Sequence, residues 1–356
     1  MKIINATPSP LFKILEARVE KYFEEKGISE KGNWKLYSKT IFWFTLLVTL
    51  YVILVFFTPT SKLFSILLCV LLGFNWSSIG FNVMHDAGHE SYSKKKWVNK
   101  LMLKSLTLLG ASELLWIKKH NVIHHNKVNT TEDDDVNLWP IFRIHKTDKH
   151  YFWHYLQAIY ALPFYSFLYL LWITVLDTIK FIRGKIGNSK VTFKLNQKLF
   201  FVYTKVIYWI IWLFIPMIFV GVWPAIIGWA TAAGICGLRI SVVFQLAHTV
   251  ENTQFPIPDS ETGKIPDRAN HQLATTSNFA RKSWLVSWLV GGLNFQVEHH
   301  LFPKISHVHY PALSKIVKDT CDEFGVQYRE YKTSFGAFWS HIKFLWKMSR
   351  KPKMNV

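Results

Sequence analysis

The sequence predicts an all-α integral membrane protein: four transmembrane helices in two hairpins, interfacial helices, and a cytoplasmic cap rich in histidine. Three observations predict it. Four long apolar runs occur: Ile41 to Phe57 and Leu63 to Met84 carry no charge, Leu199 to Val222 holds only Lys205, and Pro224 to Ala247 holds only Arg239. Spanning a bilayer takes roughly 20 apolar residues. Aromatic residues crowd the run ends (Trp34, Trp43, Trp76, Trp209, Trp223), where amphipathic rings meet the membrane interface. Third, eight of the 15 histidines stand in four clusters at the ends of these runs or in the segments that follow them.

Taken in order, residues 1–38 read as a cytoplasmic N-terminal segment, with an amphipathic helix near Leu11 to Glu25. The first two spans turn at Thr58-Pro59-Thr60-Ser61-Lys62, a proline and small polar residues suited to a tight turn. The second span carries Asn75, Ser77, Ser78 and Asn82, polar residues expected to face protein interior. It delivers His85-Asp86-Ala87-Gly88-His89-Glu90. Leu101 to Ile117, apolar but for Lys104 and Glu113, reads as a helix lying at the interface. Lys118-Lys119-His120-Asn121-Val122-Ile123-His124-His125-Asn126 follows, then the acidic run Asp133 to Asp135.

Tyr155 to Leu176 is apolar and long enough to cross. A single crossing there would put the late histidines on the opposite side from the early ones, so the stretch is read as interfacial or re-entrant, broken at Pro163. The second hairpin turns at Gly221-Val222-Trp223-Pro224 and delivers His248. The remainder holds Gln296-Val297-Glu298-His299-His300 and a basic tail over 316–356, and the whole chain reads as one domain.

The loops bearing histidines hold nearly all the lysines, while the opposite loops hold Lys62 alone. The positive-inside rule therefore places both termini and all histidine clusters in the cytoplasm. On that side the Asn129-Thr130-Thr131 sequon would go unused. No cleavable signal peptide is expected, since the first apolar run begins only at residue 41. Three cysteines make no disulfide framework. The formal charge of +19 is spread along segments flanking the spans, which suits attraction to anionic lipid and topology better than nucleic acid.

His85 and His89 are four residues apart, as are His120 and His124, so each pair stacks on one helix face. With His125, His248, His299 and His300 they make eight candidate metal ligands. A structural zinc ion takes four, so eight fit two ions with positions left open. No thiolate stands in the clusters, which argues against a zinc finger or iron–sulfur centre. A histidine-rich site at a membrane surface suggests redox iron acting on lipid. Asp86 and Glu298 are candidates to accept the other imidazole N–H. Asp133 to Asp135 either do the same or form a solvated acidic loop. Gln296, about one turn before His299, is a candidate to bind metal through its carbonyl or to hold a water. Arg239 either contacts a lipid head group, pairs with a carboxylate near the site, or snorkels. His145, His150, His154, His271 and His341 are isolated and suit ordinary polar roles.

His85-x-x-x-His89, His120-x-x-x-His124-His125 and Gln296-x-x-His299-His300 resemble the three histidine boxes of the membrane fatty acid desaturase family. Gln296 in place of a first histidine, Asn294-Phe295 before it and Leu301-Phe302-Pro303 after it are similar to the front-end (delta-5/delta-6 type) subgroup. The resemblance implies a centre of two iron ions, oxygen as oxidant, and a cis double bond introduced into an acyl chain carried on coenzyme A or a lipid. His248 matches a further ligand of such relatives. Many front-end enzymes carry a fused cytochrome b5 with a His-Pro-Gly-Gly motif. None occurs in these 356 residues, which implies a separate cytochrome b5 or ferredoxin type donor. A hydroxylase or epoxidase on the same scaffold is the alternative. A metal transporter fits poorly, because its ligands belong near the bilayer midplane.

Overall fold

The computed structural model describes residues 9–187, 189–257 and 267–351. The outer ends of the predicted N-terminal segment and basic tail, 1–8 and 352–356, lie outside the described residues. The fold is almost entirely helical. Helix α1 (Pro10–Lys26) opens where the Ser9 hydroxyl accepts the Phe12 N–H and closes at Gly27 with φ of 60°, a left-handed turn that glycine adopts without steric cost. Then come α2 (Trp34–Phe56) and α3 (Lys62–Gly88), joined by the predicted turn. The remaining principal helices are α4 (Lys96–Leu108), α5 (Phe152–Arg183), α6 (Leu195–Val220), α7 (Val222–His248), α8 (Arg268–Thr275), α9 (Gln296–Leu301), α10 (Tyr310–Glu323) and α11 (Ser334–Met348).

Five helices, α2, α3, α5, α6 and α7, are long and apolar enough to cross a bilayer. The four expected spans are among them. The fifth differs from expectation: α5 runs through Pro163 without a break and ends at Arg183. A proline removes one N–H and one ladder bond, and the apolar helix continues beyond it through a π-turn at Leu171–Leu176. The expected interfacial helix over Leu101 to Ile117 is divided. α4 stops at Leu108, and Gly110 takes φ of 80° and leaves no room for a side chain beside the Tyr208 ring.

The chain forms two compact units: Met1–Gly32, Lys119–Ala161 and Val243–Val356 in the first, Asn33–Lys118 and Leu162–Val242 in the second. The second unit is the apolar helical body. Its helices approach where small residues allow: a side chain at Gly73 would collide with the Ala232 backbone, and one at Gly237 with the Ser166 and Tyr165 carbonyls. Such small-residue seams replace hydrophobic driving force inside a bilayer. Trp76, fully buried, packs edge-on to Trp212 at 4.7 Å.

Arg239 of α7 lies in this unit. Its guanidinium donates to the Phe74 carbonyl (2.7 Å) and to the Ser77 and Ser78 hydroxyls (2.6 and 2.8 Å), and stacks on the Phe74 ring at 3.5 Å. These contacts tie α7 to α3. An arginine inside a span needs polar partners, and the α3 hydroxyls predicted to face the interior supply them.

The first unit is built on a core of Leu11, Leu15, Val19 and Phe23 from α1, with Leu313 and Val317 from α10 and Phe295, Val297 and Leu301 around α9. Arg18 and Glu323 clamp α1 to α10 through a two-pronged ion pair of 2.7 and 2.9 Å.

Candidate metal centre

Each histidine cluster sits where a helix ends or widens. Spacing predicts one α-helical face for the second box. Instead Ile117–His124 is a π-helix, followed by the short helix His125–Lys127. A π-turn bonds residue i to i+5, so both His124 and His125 come alongside His120, with ring centroids 5.0 and 4.9 Å away. α9 supplies His299 and His300, and the end of α7 supplies His248. All six rings belong to the first unit and are at most 4 % exposed.

They converge. The ring nitrogens of His124, His248 and His300 lie within 4.8 Å of one another, and so do those of His125, His299 and His300. The two groups share His300, whose centroid is 4.3 Å from His125 and 4.9 Å from both His124 and His248.

Five of the rings are held by Nδ1. Asp135 takes His120 at 2.9 Å and Asp133 takes His124 at 2.9 Å. The Gln272 amide oxygen takes His300 at 2.8 Å, the Tyr310 hydroxyl meets His299 at 3.1 Å, and the Thr275 carbonyl faces His248 at 3.4 Å. Fastening Nδ1 fixes the tautomer and leaves Nε2 as the candidate ligand atom. The Nε2 of His124 is buried and makes no hydrogen bond, a costly state for a polar atom unless something else binds it. An all-imidazole donor set of this kind fits a first-row transition metal.

Gln296 lies within the same group. Its amide nitrogen is 2.9 Å from His248 Nε2 and 3.2 Å from His300 Nε2. A half-turn of the amide presents the carbonyl oxygen to the same place.

The electrostatics follow from burial and from the acidic loop. Burial pulls His120 down, and Asp135 only partly offsets it. For His124, burial acts in the same direction, but the charge and hydrogen bond of Asp133 outweigh it and leave the ring raised. Burial works against the charge on Asp135, yet Lys119 at 2.5 Å and the two histidines hold it well below the ordinary carboxylate range. Asp133 is fully buried, while Asp134 and Asp135 are half-buried.

Glu298, a candidate from sequence to hold an imidazole, does not do so. One residue before His299, it points about 100° around the helix, where its carboxylate accepts from Asn278 Nδ2 (2.8 Å) and Tyr328 OH (2.7 Å). Burial pushes its carboxyl up to about 7 despite those bonds.

In the second unit, His85 and His89 follow a π-turn at Gly80–Met84 inside α3 and pack 4.8 Å apart. Trp116 walls them, 6.0 and 5.8 Å from the two rings. Gly88 has no room for a side chain beside that indole. Asp86 is buried, and its charge acts on the buried Lys39, whose ammonium donates to Asn82 at 3.0 Å. Glu90, by contrast, is exposed.

Three residues escape a reading of the sequence. Gln272 and Tyr310 hold rings from elements with no motif of their own. Asn129 stands out in the sequence only as a sequon. It is fully buried, takes φ of 56°, and donates from Nδ2 to the carbonyls of His248 (2.8 Å), Gln254 (3.0 Å) and Thr275 (3.2 Å). Three of the isolated histidines bond backbone carbonyls: His154 that of Pro140, His150 that of Ser349, and His341 that of Thr249.

Comparison with known proteins decides the family. The fatty acid desaturase family profile matches residues 60–332. The chain belongs to the fatty acid desaturase family. Relatives of this desaturase include an sn-1 linoleoyl-lipid 6-desaturase of Synechocystis sp., 32% identical over 95% of both chains. Another of that name from Arthrospira platensis is 35% identical over 97% of this chain and 94% of its own. An acyl-lipid (8-3)-desaturase of Physcomitrium patens is 32% identical over 98% of this chain and 73% of its own. By name, these relatives desaturate lipid-linked acyl chains. The protein is thus a fatty acid desaturase, an oxidoreductase and a multi-pass membrane protein, and its clustered histidines fit a metal site.

Proposed function

We propose that this desaturase is a front-end enzyme that introduces a cis double bond into an unsaturated acyl chain of a membrane lipid, using two iron ions. The observation that carries the reading is the pair of imidazole groups sharing His300, each with ring nitrogens within 4.8 Å. Two adjoining donor groups suit two metal ions better than one. The relatives' names favour acyl-lipid over acyl-coenzyme A as substrate. In this reading His120, His124, His125, His248, His299 and His300 are ligands. His85 and His89 join them on the strength of the box motif. Gln296 binds metal or a metal-held water.

Bound iron, given oxygen and two electrons, would supply the oxidising power. Two C–H bonds break, one C=C bond forms, and O2 leaves as two waters after taking up two substrate hydrogens, two electrons and two protons. The chain's own residues orient the ligands through Asp133, Asp135, Gln272 and Tyr310, and keep the site dry by burial. Electrons come from a separate cytochrome b5 or ferredoxin type donor, which the lysine-rich loops would attract if it is acidic. The same lysines support a cytoplasmic placement of both termini and all histidine boxes. That placement requires α5 to return to the side it enters.

Expression in a host lacking polyunsaturated lipids, fed defined acids, tests this by gas chromatography of its fatty acids. A product short of two hydrogens supports desaturation, and one gaining an oxygen identifies a hydroxylase or epoxidase. His124→Ala and His299→Ala should lose both product and bound iron while remaining in the membrane. Full activity in either would overturn the assignment.

A further inference from the structure

The outer face of α11 is used by nothing described so far. Phe335, Trp339 and Trp346 are 75 %, 52 % and 48 % exposed, and Lys343, Lys347 and Arg350 are exposed beside them. At 100° per residue, the five within α11 fall within about a third of the helix circumference, and Arg350 follows two residues past its end. From Tyr331 to Lys351 there are five lysines and arginines and no acid.

The inner face is firmly docked within the first unit. Ala337, Ser340, His341, Phe344, Leu345 and Met348 are buried. Phe344 stacks on Phe255 at 5.0 Å, and Glu251 N–H donates to Ser340 at 2.9 Å. The helix therefore cannot roll to hide its aromatics.

A second observation sets its depth. The C-terminal end of α11 is bonded to the start of α5, a helix apolar enough to enter the bilayer. Gln157, in the second turn of α5, donates to the Leu345 carbonyl at 2.8 Å. Arg143 donates to Met348 and Arg350 carbonyls at 2.8 and 3.2 Å, and His150 bonds that of Ser349 at 2.7 Å. Phe152 and Ile159 of α5 are 80 % and 66 % exposed. Where α5 meets the membrane surface, α11 meets it too, whether α5 then crosses or lies along the interface.

We propose that α11 is an in-plane membrane anchor that selects anionic phospholipid. Its indoles and Phe335 lie at the boundary of head groups and acyl chains, and Lys343, Lys347 and Arg350 pair with lipid phosphates. Aromatic rings and basic residues on one helix face are what such an interface binds. Charge complementarity selects the anionic lipid. The inference is independent of which acyl chain the enzyme desaturates.

The test uses the full chain in nanodiscs of phosphatidylcholine, with or without phosphatidylglycerol. Cys69, Cys236 and Cys321 are all buried, so a fluorophore directed to Trp339→Cys reports that site. The expected result is several-fold stronger quenching by lipids brominated in their chains than for a label at Asp319→Cys, an exposed position on α10. In native mass spectra, replacing Lys343, Lys347 and Arg350 by Gln should weaken retention of phosphatidylglycerol roughly fivefold per cation. Equal quenching of the two labels, a label at 339 open to aqueous iodide, or unchanged lipid retention would each overturn the proposal. So would a disulfide between two Trp339→Cys copies, which would make the face a contact between chains.

Discussion

Asp133→Asn separates a carboxylate that orients a ligand from one that merely fills the core. The Asp133 carboxylate receives three donors: His124 Nδ1 at 2.9 Å, Asn129 N–H at 3.0 Å and Asp135 N–H at 3.1 Å. Asparagine has the same shape but only one accepting oxygen. Either His124 or a backbone N–H must then face an NH2 group, which costs about 1–3 kcal/mol when buried. Losing the partner of a ligating histidine typically lowers metal affinity or activity about 10- to 100-fold, or roughly 1.4–2.7 kcal/mol. The control is Glu298→Gln, an equally buried carboxylate in the third box whose partners are Asn278 and Tyr328. It should keep metal affinity near that of the wild type. Both variants would be purified in detergent, titrated anaerobically with ferrous iron and assayed for bound metal, with product formation measured in cells. The reasoning is refuted if Asp133→Asn binds iron as tightly as the wild type, or if Glu298→Gln loses as much.

Asn129→Ala removes the amide shared by three backbone carbonyls, two of them in buried contacts, and strains a left-handed residue, so it should cost at least about 3 kcal/mol; an unchanged thermal midpoint in detergent would contradict this. His341 is fully buried and burial pushes its imidazole down to about 4, against an ordinary 6.5. The unfolded chain then takes up its proton first as pH falls, so His341 contributes about 3 kcal/mol that is intact above pH 6.5 and lost as the pH falls towards 4. His341→Gln should flatten the acid limb of a stability profile between those values. Gly88→Ala drives a methyl group into Trp116 and should reduce product, and Trp116→Ala in the same chain should recover part of the loss; a wild-type rate in Gly88→Ala alone would show the contact to be soft.

The ligands are legible in the sequence because metal chemistry constrains residue type. Imidazoles at fixed spacing at the ends of apolar runs are hard to account for by packing, and the spans are marked by their length. What the sequence hides is what holds the rings. Gln272 and Tyr310 reach His300 and His299 from elements 28 and 11 residues away in sequence, and a glutamine or tyrosine carries no sign of its tertiary partner. Glu298 misleads because adjacency along a helix is not adjacency in space. The π-turns are invisible for a related reason: i,i+4 spacing assumes 3.6 residues per turn, and Ile117–His124 does not keep it. Pro163 misleads in the opposite sense: a proline costs the helix one ladder bond, and α5 continues through that loss.

The partners of the rings also explain why the anions of the first unit lie where they do. Six neutral imidazoles carry no charge to balance a buried cation, and an unbalanced charge in a dry site is expensive. Glu298 offers little relief, because burial raises its carboxyl to about 7 and it faces Asn278 and Tyr328. The rings of the third box rest on neutral partners, an amide oxygen and a phenol. Asp133 and Asp135, both on the second box, are bonded to imidazoles, and Asp135 shares its charge with Lys119. Asp133 is thus the anion most fully available to a metal held by His124, which is why neutralising it, among the carboxylates of this unit, should matter most.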